Sequence, residues 1–571
     1  MILSDNALQV ASKRYFYEGY DKNWEDLCIR VGTEIGRIEK DKSYVDKFIE
    51  IHENIDFLGG GRILRNAGRP RGSMLNCHFI PIYDSIEEIG QFLKDAIITW
   101  SEGGGIGSNL SYLRPDGAEI KTKGGESSGP ISFLRATNAV ADTIKIGGNR
   151  RAAGMALMEV WHPDIINFID AKMIDGEFSN FNISVGINEK FIEAVEKDMD
   201  WDLSFNNKIY NTIKARLIWD KIISNMLKSG EPGLLNMDNI RNNNSYYFQR
   251  IQGVNPCSEA VLGDYGSCCL GSIVLSKFNS GSKTNWKKME EIIRLGIRFL
   301  DNVVDINKYP LSNYKKIEQE GRRIGLGVIG LADYLFNKKI KYGSEESIQE
   351  CERLFKFIRN ISYEESIRLS SEKGSFPKFD SYDYCKSHFI RTLPMSLRKS
   401  IKKHGMRNVT VNSIAPGGTI SLVAETVGGI EPLYSKAYEK RDAVSNRIYI
   451  HPVYKNELLK NNKSPDWFVD VSDLTPENHL DVQMTITKLI DASISKTINM
   501  EKGTTKDQLD ETILNYITDL KGMTIYVDGS RGKQPFVNLT DEQIKKYIKE
   551  ENYKTFTDED MVKCKNGSCE L

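Results

Sequence analysis

The sequence predicts an α/β protein built around a largely parallel sheet. Between about residues 130 and 530, short apolar runs alternate with longer amphipathic stretches, a pattern typical of strands joined by crossover helices. Glycine-rich segments at Gly103–Gly107, Gly124–Gly129 and Gly147–Gly154 are predicted to be turns. With 571 residues, 40% of them hydrophobic, the chain has ample material for a large buried core.

The two ends of the chain differ from this central region. Residues 1–70 are predicted to be helical, and Ser85 followed by Glu88 forms a capping box for the next helix. Apolar residues recur in that helix at helical spacing, at Ile86, Ile89, Leu93, Ile97 and Trp100. The last twenty residues are polar and are predicted to form a mobile tail. We therefore divide the chain into a helical region at 1–70, a catalytic region at 71–540 and a tail at 541–571.

Composition excludes several classes of function. The 77 basic and 78 acidic residues give a net charge of -1, so nothing draws the chain as a whole to nucleic acid or an anionic membrane. Apolar runs fall short of the roughly 18 residues a membrane span needs, and the first residues do not resemble a signal peptide. A cytosolic protein is expected. Its nine cysteines do not predict structural disulfides, and no cysteine or histidine pattern completes a metal site.

The segment Asn255-Pro256-Cys257-Ser258-Glu259 carries the strongest candidate chemistry. Because side chains alternate along an extended segment, Asn255, Cys257 and Glu259 are expected to face one point. The amide can hold a hydroxyl, the carboxylate can take a proton and the thiol can donate a hydrogen atom. A turn with a buried cysteine explains the same residues.

Other cysteines add candidates for redox chemistry. Cys268 and Cys269 are adjacent; such thiols rarely bridge each other because the ring is strained, so one of them is expected to face the same pocket as Cys257. Two small buried hydrophobic residues would look the same. Cys77 lies in an apolar run, where packing is the simpler interpretation. Cys564 and Cys569 near the C-terminus suggest dithiol exchange, or an incidental pair.

The segment from Ala415 to Ser421 predicts a phosphate-binding loop. Its small residues expose backbone N–H groups, and two hydroxyls follow; the candidate contacts are Pro416, Gly417, Gly418, Thr419 and Ser421. The segment lacks the lysine of a P-loop, and a strand-to-helix turn is the other interpretation. Gly103–Gly107 is not a dinucleotide fingerprint, because the G-x-G-x-x-G spacing fails.

In their order, these motifs resemble the catalytic subunits of ribonucleotide reductases. Cys77, the NPCSE segment, Cys268 and a terminal cysteine pair follow one another as in that family. Matching stretches lie between them, namely GGGIGSNLSYLRP, SSGPISF, GGNRRAAGMALMEVWHPDI, NISV, RRIGLGVIGLADYL and GIEPLY. The resemblance runs from about residue 5 to the C-terminus.

This resemblance implies a barrel of ten strands, in which two parallel five-stranded halves lie antiparallel to each other. A central finger loop inside the barrel carries the catalytic cysteine. The chain is most similar to the adenosylcobalamin-dependent class II, on the segments RYF, WHPDI, RRIGLGVIGLADYL and KGMTIYVDGSR. No extension precedes the catalytic region, so the ATP-cone domain of many relatives is expected to be absent.

The radical source can be inferred from one position. Relatives that import a radical from a separate metal-containing subunit carry a Tyr-Tyr pair where this chain has Tyr526 and Val527. The missing tyrosine breaks the usual hopping route and favours adenosylcobalamin. A large subunit driven by such a partner remains the alternative, and a glycyl-radical reductase fits less well. A catalytically silent nucleotide-binding regulator is the rival from another class.

The resemblance also implies a role for each candidate side chain. Cys257 becomes the thiyl radical, Glu259 acts as general base, and Asn255 binds the substrate hydroxyls. Cys77 and Cys268 supply protons and two electrons and end as a disulfide; Cys268 is preferred to Cys269 because Leu-Gly-Ser-Ile follows at the family spacing. Cys564 and Cys569 would then reduce that disulfide and be recharged by thioredoxin or glutaredoxin.

Substrate and effector sites follow in the same way. The substrate is a ribonucleoside di- or triphosphate, whose phosphates lie at residues 416–421; Gly417 replaces a threonine of the commoner motif, so one hydroxyl contact is expected to be lost. Asp84 and Arg114 match positions that bind the specificity effector, a deoxynucleoside triphosphate or ATP, and Arg150 lies in the loop that relays effector identity. In relatives this site lies at a two-fold interface, so a homodimer is expected. From the residues alone, Asp84 is merely the residue before the Ser85 cap.

Overall fold

The computed structural model describes residues 3–120, 124–144, 152–174, 176–441, 446–461, 464–528, 536–550 and 554–555. The helices in these ranges are α1 (Asp5–Arg14), α2 (Trp24–Gly36), α3 (Ser43–Glu53), α4 (Gly61–Asn66), α5 (Ile86–Ser101), α6 (Gly129–Thr143), α7 (Ile165–Asp170), α8 (Glu189–Glu196), α9 (Ala215–Ser229), α10 (Met237–Asn242), α11 (Trp286–Ile306), α12 (Ser312–Gly321), α13 (Leu331–Asn337), α14 (Glu345–Lys373), α15 (Ser381–Lys386), α16 (His388–Arg391), α17 (Met395–His404), α18 (Gly418–Ala424), α19 (Pro452–Asn461), α20 (Pro476–Thr487), α21 (Lys506–Tyr516) and α22 (Asp541–Lys549). The strands are β1 (Phe57–Gly59), β2 (Cys77–Phe79), β3 (Gly105–Asn109), β4 (Gly154–Glu159), β5 (Phe181–Ile187), β6 (Asp200–Phe205), β7 (Lys208–Lys214), β8 (Gly233–Asn236), β9 (Gly253–Val254), β10 (Val261–Leu262), β11 (Leu270–Val274), β12 (Asn279–Ser280), β13 (Lys283–Thr284), β14 (Gly325–Ile329), β15 (Ala437–Arg441), β16 (Asn446–Ile450), β17 (Thr497–Met500), β18 (Gly522–Val527), β19 (Phe536–Asn538) and β20 (Lys554–Thr555).

Two sheets occupy the centre of the molecule. The larger has the order β17-β18-β8-β5-β4-β3-β2, in which the five strands from β8 to β2 are parallel and β18 runs antiparallel to β8. The smaller has the order β1-β11-β14, with β11 and β14 parallel. Every residue of β3, β4, β11 and β14 is buried, as expected when helices cover both faces of a parallel sheet. The predicted α/β class is confirmed.

Single bridges connect the two sheets at both ends of the larger one. His78 of β2 pairs antiparallel with Ser267, which precedes β11. On the other side, Leu326 of β14 pairs with Asn412, and Ile414 pairs with Ile494, three residues before β17. The strand pairings therefore run from β11 to β2 in one direction and from β14 towards β17 in the other.

One glycine-rich segment differs from its prediction as a turn. Gly103 has a positive φ of 81°, but Gly105 and Gly107 are strand residues of β3. A Cβ added to Gly107 would lie 2.1 Å from the carbonyl oxygen of Val254, and one added to Gly105 would lie 3.2 Å from Cys77 Sγ. Glycine is required here because other backbone passes close to the strand.

The helical prediction for residues 1–70 is confirmed in part. Helices α1 to α4 occupy most of this region, but the strand Phe57–Gly59 lies within it and pairs with β11. Helix α5 begins at the predicted cap, with the Ser85 hydroxyl accepting from Glu88 N at 3.1 Å, but the predicted capping box is incomplete, because Ser85 N donates to Tyr83 O. Its predicted apolar stripe is partly wrong, because Ile86 is 66% exposed and Ile97 38% exposed, whereas Phe92 and Ala96 are buried. Across the described residues, no helix is both long and apolar enough to cross a membrane.

Candidate functional site

A short hairpin carries Asn255, Cys257 and Glu259. Strands β9 and β10 pair antiparallel, with Val254 opposite Val261. The chain between them is a tight turn, closed by the hydrogen bond from Ser258 N to Asn255 O at 3.0 Å, with Ser258 at a positive φ of 65°. The prediction of an extended segment is therefore wrong, and the alternative of a turn with a buried cysteine is confirmed.

The hairpin tip is held mainly by its own amide and by two neighbouring segments. Asn255 Oδ1 accepts from Ala260 N at 2.9 Å, which leaves Nδ2 buried and without a hydrogen-bond partner among the described residues. The carbonyl of Glu259 accepts from Ser493 N at 3.0 Å and from the hydroxyl of Ser413 at 2.8 Å. The backbone of the tip is thus fixed while the Asn255 amide keeps a free donor.

The Glu259 carboxyl is buried, and its burial is only partly compensated. Glu259 is 1% exposed, and its Oε2 has no hydrogen-bond partner within the described part of the chain. Burial raises the pKa of Glu259 to about 7, and the neighbouring Asn255 amide offsets part of this rise. A carboxyl with a pKa near neutrality can accept a proton from a substrate hydroxyl and return it.

Cys77 and Cys268 meet beside this hairpin. Cys268 N donates to the carbonyl of Cys77 at 2.9 Å, and both side chains belong to one small buried cluster with Phe79, Ala260 and Leu262. Cys269 points elsewhere, since it packs in the main core and its thiol donates to Leu300 O at 3.6 Å. The structure therefore brings Cys268 to Cys77 and keeps Cys269 away from it.

The thiol of Cys268 is held in its protonated form. Burial raises its pKa well above the ordinary value, and the charges of Glu259 and Cys77 raise it further. Among the described residues, no cysteine belongs to a disulfide. A protonated buried thiol such as Cys268 can release a proton as well as electrons when the pair closes to a disulfide.

A small cavity opens on one side of the hairpin tip. Cys257 and Ser258 line it, together with the edges of β8 and β18, whereas Asn255 and Glu259 do not. Four of the other lining residues are small, and the larger ones include aliphatic side chains, namely Ser184, Gly233, Ser495 and Gly522, with Leu234, Leu235, Ile494 and Met523. Of the three candidate catalytic residues on the hairpin, Cys257 alone lines this cavity.

Lys496 lines the same cavity and was missed by the sequence analysis. Its ammonium group is buried and donates to Glu431 Oε2 at 2.8 Å, and it lies 3.2 Å from Nδ1 of His479. Burial lowers the pKa of Lys496, and the charge of Glu431 opposes that shift. The only sequence signal was Glu431 in the GIEPLY stretch, which marks no lysine 65 residues away.

The predicted phosphate loop begins next to the cysteine cluster. Ala415 packs against that cluster, and Gly417 follows with a positive φ of 79°. A Cβ at Gly417 would lie 2.6 Å from Ile329 Cγ2, so the glycine in place of threonine suits this backbone and this packing. The hydroxyl of Ser421 donates to Gly418 O at 2.7 Å, and the Thr419 side chain is buried.

The two predicted effector residues contact each other. Arg114 Nε donates to both carboxylate oxygens of Asp84 at 2.9 Å, and Arg114 N donates to Oδ1 at 3.1 Å. Both side chains are part-exposed. Arg150, Cys564 and Cys569 lie outside the described residues.

Position 526 lies in the strand β18. Tyr526 is opposite Asn499 of β17, and Val527 is opposite Met500. Val527 is a buried core residue, so the strand offers a tyrosine followed by an aliphatic side chain at this edge of the sheet.

Comparisons with known proteins agree with this geometry. The family model described as "Ribonucleotide reductase, barrel domain" matches residues 75–526. A "Vitamin B12-dependent ribonucleoside-diphosphate reductase" of Thermoplasma acidophilum is 34% identical over 564 residues, which cover 93% of this chain and 71% of the relative. A protein of the same description from Mycobacterium tuberculosis is 32% identical, covering 89% of this chain and 75% of the relative. A "Ribonucleoside-diphosphate reductase subunit alpha" of Chlamydia trachomatis is 26% identical, covering 78% and 48%.

Proposed function

The chain belongs to the ribonucleotide reductase family, and on that premise we propose that it reduces ribonucleoside diphosphates to 2′-deoxyribonucleotides with a thiyl radical that depends on adenosylcobalamin. The observation that carries the proposal is the meeting of Cys77 and Cys268 beside the hairpin that holds Cys257. A dithiol and a third cysteine, with an unpartnered amide and carboxyl, form the set of groups that this radical reduction needs.

The radical position is assigned to Cys257. Cys257 lines a cavity that Asn255 and Glu259 do not line, which supports an approach to the thiol separate from those two side chains. Adenosylcobalamin supplies, when bound, the carbon-centred radical that takes the thiol hydrogen. Residues that edge this cavity, among them Ser184, Gly233 and Gly522, would then face the adenosyl group.

The substrate side is assigned to the amide, the carboxyl and the dithiol. Cys257 takes the 3′-hydrogen of the ribose, Glu259 accepts the proton of the 3′-hydroxyl, and the free Nδ2 of Asn255 holds a hydroxyl in place. Cys77 and Cys268 then give two protons and two electrons, the 2′-hydroxyl leaves as water, and one S–S bond forms. The raised pKa of Cys268 supports this, because the thiol keeps the proton that it must deliver.

We infer that the strands of the two central sheets other than β1, together with the segment 412–414 between β14 and β17, form one closed ten-stranded barrel around the finger hairpin. The bridges His78–Ser267, Leu326–Asn412 and Ile414–Ile494 support closure on both sides, and Gly107 contacts the hairpin from inside the strand wall. The barrel would fill residues 71–540, with the helical region at 1–70 before it. The segment predicted as a tail at 541–571 begins with helix α22, whose Ile544 is buried in the main core, so the tail that carries Cys564 and Cys569 would begin after that helix.

Substrate and effector contacts complete the proposal. The loop at residues 416–421 would bind the substrate phosphates through backbone N–H groups and the hydroxyl of Thr419. Asp84 and Arg114 would bind a deoxynucleoside triphosphate or ATP, aided by Arg150, at the interface of a homodimer; the exposed Ile86 and Ile97 of α5 support an apolar contact beside them. Cys564 and Cys569 would exchange with thioredoxin or glutaredoxin in a reducing cytoplasm.

The decisive experiment measures the radical source directly. Purified protein with effector and a dithiol is mixed with adenosylcobalamin that carries tritium on its 5′ carbon, and release of tritium into water is followed. We expect exchange that depends on effector, because the 5′ carbon and the Cys257 thiol share hydrogens. Absence of exchange, together with activity restored by a metal-loaded small subunit, would replace adenosylcobalamin by an imported radical.

A further inference from the structure

We infer that helix α12 positions the two redox cysteines, because two of its side chains contact the residues next to Cys77 and Cys268 in the chain. This inference deepens the proposed function and rests on it. Tyr314 stacks on His78 with 4.2 Å between ring centroids. One turn later, Glu318 Oε1 accepts from Ser267 N at 2.7 Å. His78 follows Cys77 and Ser267 precedes Cys268, so one face of α12 contacts both segments that carry the redox cysteines.

His78 and Ser267 also hold each other. They are the opposed residues of a single antiparallel bridge, flanked by the hydrogen bonds from Cys268 N to Cys77 O and from Phe79 N to the carbonyl of residue 266. Between their side chains, His78 Nδ1 and Ser267 Oγ are 2.8 Å apart. Opposed residues in this position have closely spaced side chains, so the contact fixes the pairing of the two strands.

This pairing decides whether the two sulfurs can meet. Side chains alternate across a strand, so His78 and Ser267 lie on one face and the redox cysteines on the other. Cys77 and Cys268 are also opposed, in a position where Cα atoms lie about 5.5 Å apart, which falls inside the range of a disulfide. A slip of one residue would turn one cysteine to the wrong face.

The four residues His78, Ser267, Tyr314 and Glu318, here called the clasp, are all buried. Burial lowers the pKa of His78 to about 3, so its ring is neutral and bonds Ser267 without bringing a charge into the core. The Tyr314 hydroxyl lies 2.9 Å from the hydroxyl of Thr99 in α5, which fixes the ring that His78 stacks on. The His78 ring of the clasp is therefore uncharged, and the Tyr314 ring on which it stacks is anchored through its hydroxyl.

The clasp acts on the redox step by keeping one thiol close to the other. When the pair closes, one S–S bond forms, and two electrons and two protons pass to the ribonucleotide as its 2′-hydroxyl leaves as water. Preorganised thiols raise the effective concentration of one at the other and so favour the disulfide. Loosening the clasp is expected to favour the dithiol.

The test is a redox titration of Cys77 and Cys268. The full chain with Cys564→Ser and Cys569→Ser is equilibrated in dithiothreitol buffers, and the disulfide is identified by peptide mass spectrometry. We expect Glu318→Ala and Tyr314→Ala, which remove the two contacts made by α12, and Ser267→Ala, which removes the side-chain contact to His78, to shift the equilibrium at least about tenfold towards the dithiol, or about 30 mV for two electrons. Glu318→Gln keeps the acceptor and Tyr314→Phe keeps the ring, so the equilibrium in both should stay within about threefold of the parent, or about 15 mV.

The outcomes separate this inference from the proposed function. Equilibria within about twofold of the parent for both Glu318→Ala and Tyr314→Ala would overturn the role of α12; if Tyr314→Ala does not fold, Glu318→Ala alone decides. The titration uses neither cobalamin nor nucleotide, so it does not depend on the radical source. Tritium exchange should be unchanged in Ser267→Ala, because Cys257 lies on the hairpin and not on the bridge. If the parent forms no disulfide between Cys77 and Cys268 in the titration, both ideas fail.

Discussion

Glu259 and Asn255 are anchored through atoms that the proposed chemistry does not use. The carbonyl of Glu259 and Oδ1 of Asn255 take the hydrogen bonds that fix the hairpin tip, whereas Glu259 Oε2 and Asn255 Nδ2 stay buried and unpartnered in the part of the chain described. Unpartnered buried polar atoms cost stability, and natural proteins keep few of them. Two such atoms on one hairpin tip support the proposal that the substrate hydroxyls supply the missing hydrogen-bond partners.

Glu259→Gln should therefore stabilise the fold above neutral pH while abolishing turnover. The pKa of Glu259 is raised from 4.5 to about 7, so between these values the folded chain binds a proton that the unfolded chain has lost, and stability falls as pH rises. The variant avoids this loss and should gain roughly 1–3 kcal/mol at pH 8, with little change at pH 4.5. Denaturant unfolding at both pH values measures it.

Turnover by the same variant tests the general-base role. Loss of a general base costs about 10²–10⁴-fold in rate, so deoxynucleotide formation by Glu259→Gln should fall at least a hundredfold at every pH. Near-parental turnover would leave Glu259 as a structural carboxyl. An unchanged free energy of unfolding between pH 5 and pH 8 in both proteins would instead show that its pKa is not raised.

Cys257→Ala should abolish turnover without unfolding the chain. Removing one small buried side chain costs about 1–2 kcal/mol, which a chain of this size tolerates. The matched control is Cys351→Ala, since Cys351 is a fully buried cysteine of helix α14 that packs in the main core. Deoxynucleotide formation should persist in the control, and product above a few per cent of parent in Cys257→Ala would remove Cys257 from the mechanism.

Among the contacts between secondary-structure elements, the one between the hairpin and β3 is expected to be the most sensitive to substitution. Gly107→Ala should displace the hairpin and nearly eliminate turnover, because its Cβ would overlap the carbonyl of Val254. Gly90→Ala is the control in the adjacent helix α5, where an added Cβ meets nothing within 4 Å, so helix propensity should stabilise it by about 0.5–1 kcal/mol. Thermal unfolding and product formation distinguish the two variants. Full activity in Gly107→Ala would show that the hairpin does not need its close contact with β3.

Local signals in the sequence predicted local structure well. The cap of α5 and the strand–helix alternation are confirmed, because capping and periodicity are decided within a few residues. At the hairpin tip the extended form was wrong and the alternative of a turn is confirmed, because Ser258 N bonds to Asn255 O. The prediction of a turn at Gly105 and Gly107 was wrong, since close contacts with Cys77 and Val254 decide the conformation there. The His78–Ser267 bridge was not predicted at all, because a pairing across 189 residues leaves no local pattern.

For the whole molecule, the redox pair lies inside and its reductant must come from outside. Cys77 and Cys268 are at most 1% exposed, so a partner protein cannot reach them directly. Cys564→Ser with Cys569→Ser should therefore block repeated turnover with thioredoxin, while a single turnover by pre-reduced enzyme survives. Rapid-quench product yield per chain measures both, and a small dithiol is expected to rescue part of the repeated turnover.

The opposite outcome for the double variant of Cys564 and Cys569 would also be informative. If the double variant turns over repeatedly with thioredoxin at the parental rate, the terminal cysteines carry no electrons and the internal pair must be reduced by another route. A variant that keeps its first turnover but loses all later ones would show that the tail serves regeneration alone.

The bridge between His78 and Ser267 also has a consequence for biosynthesis. Its two halves are 189 residues apart in the chain, and translation adds about 5–20 residues each second. Cys77 is therefore synthesised roughly ten to forty seconds before Cys268. The first cysteine must wait for the second in an incomplete sheet, and contacts of such long range slow folding. Nascent chains would be most open to oxidation and to association with chaperones during this interval.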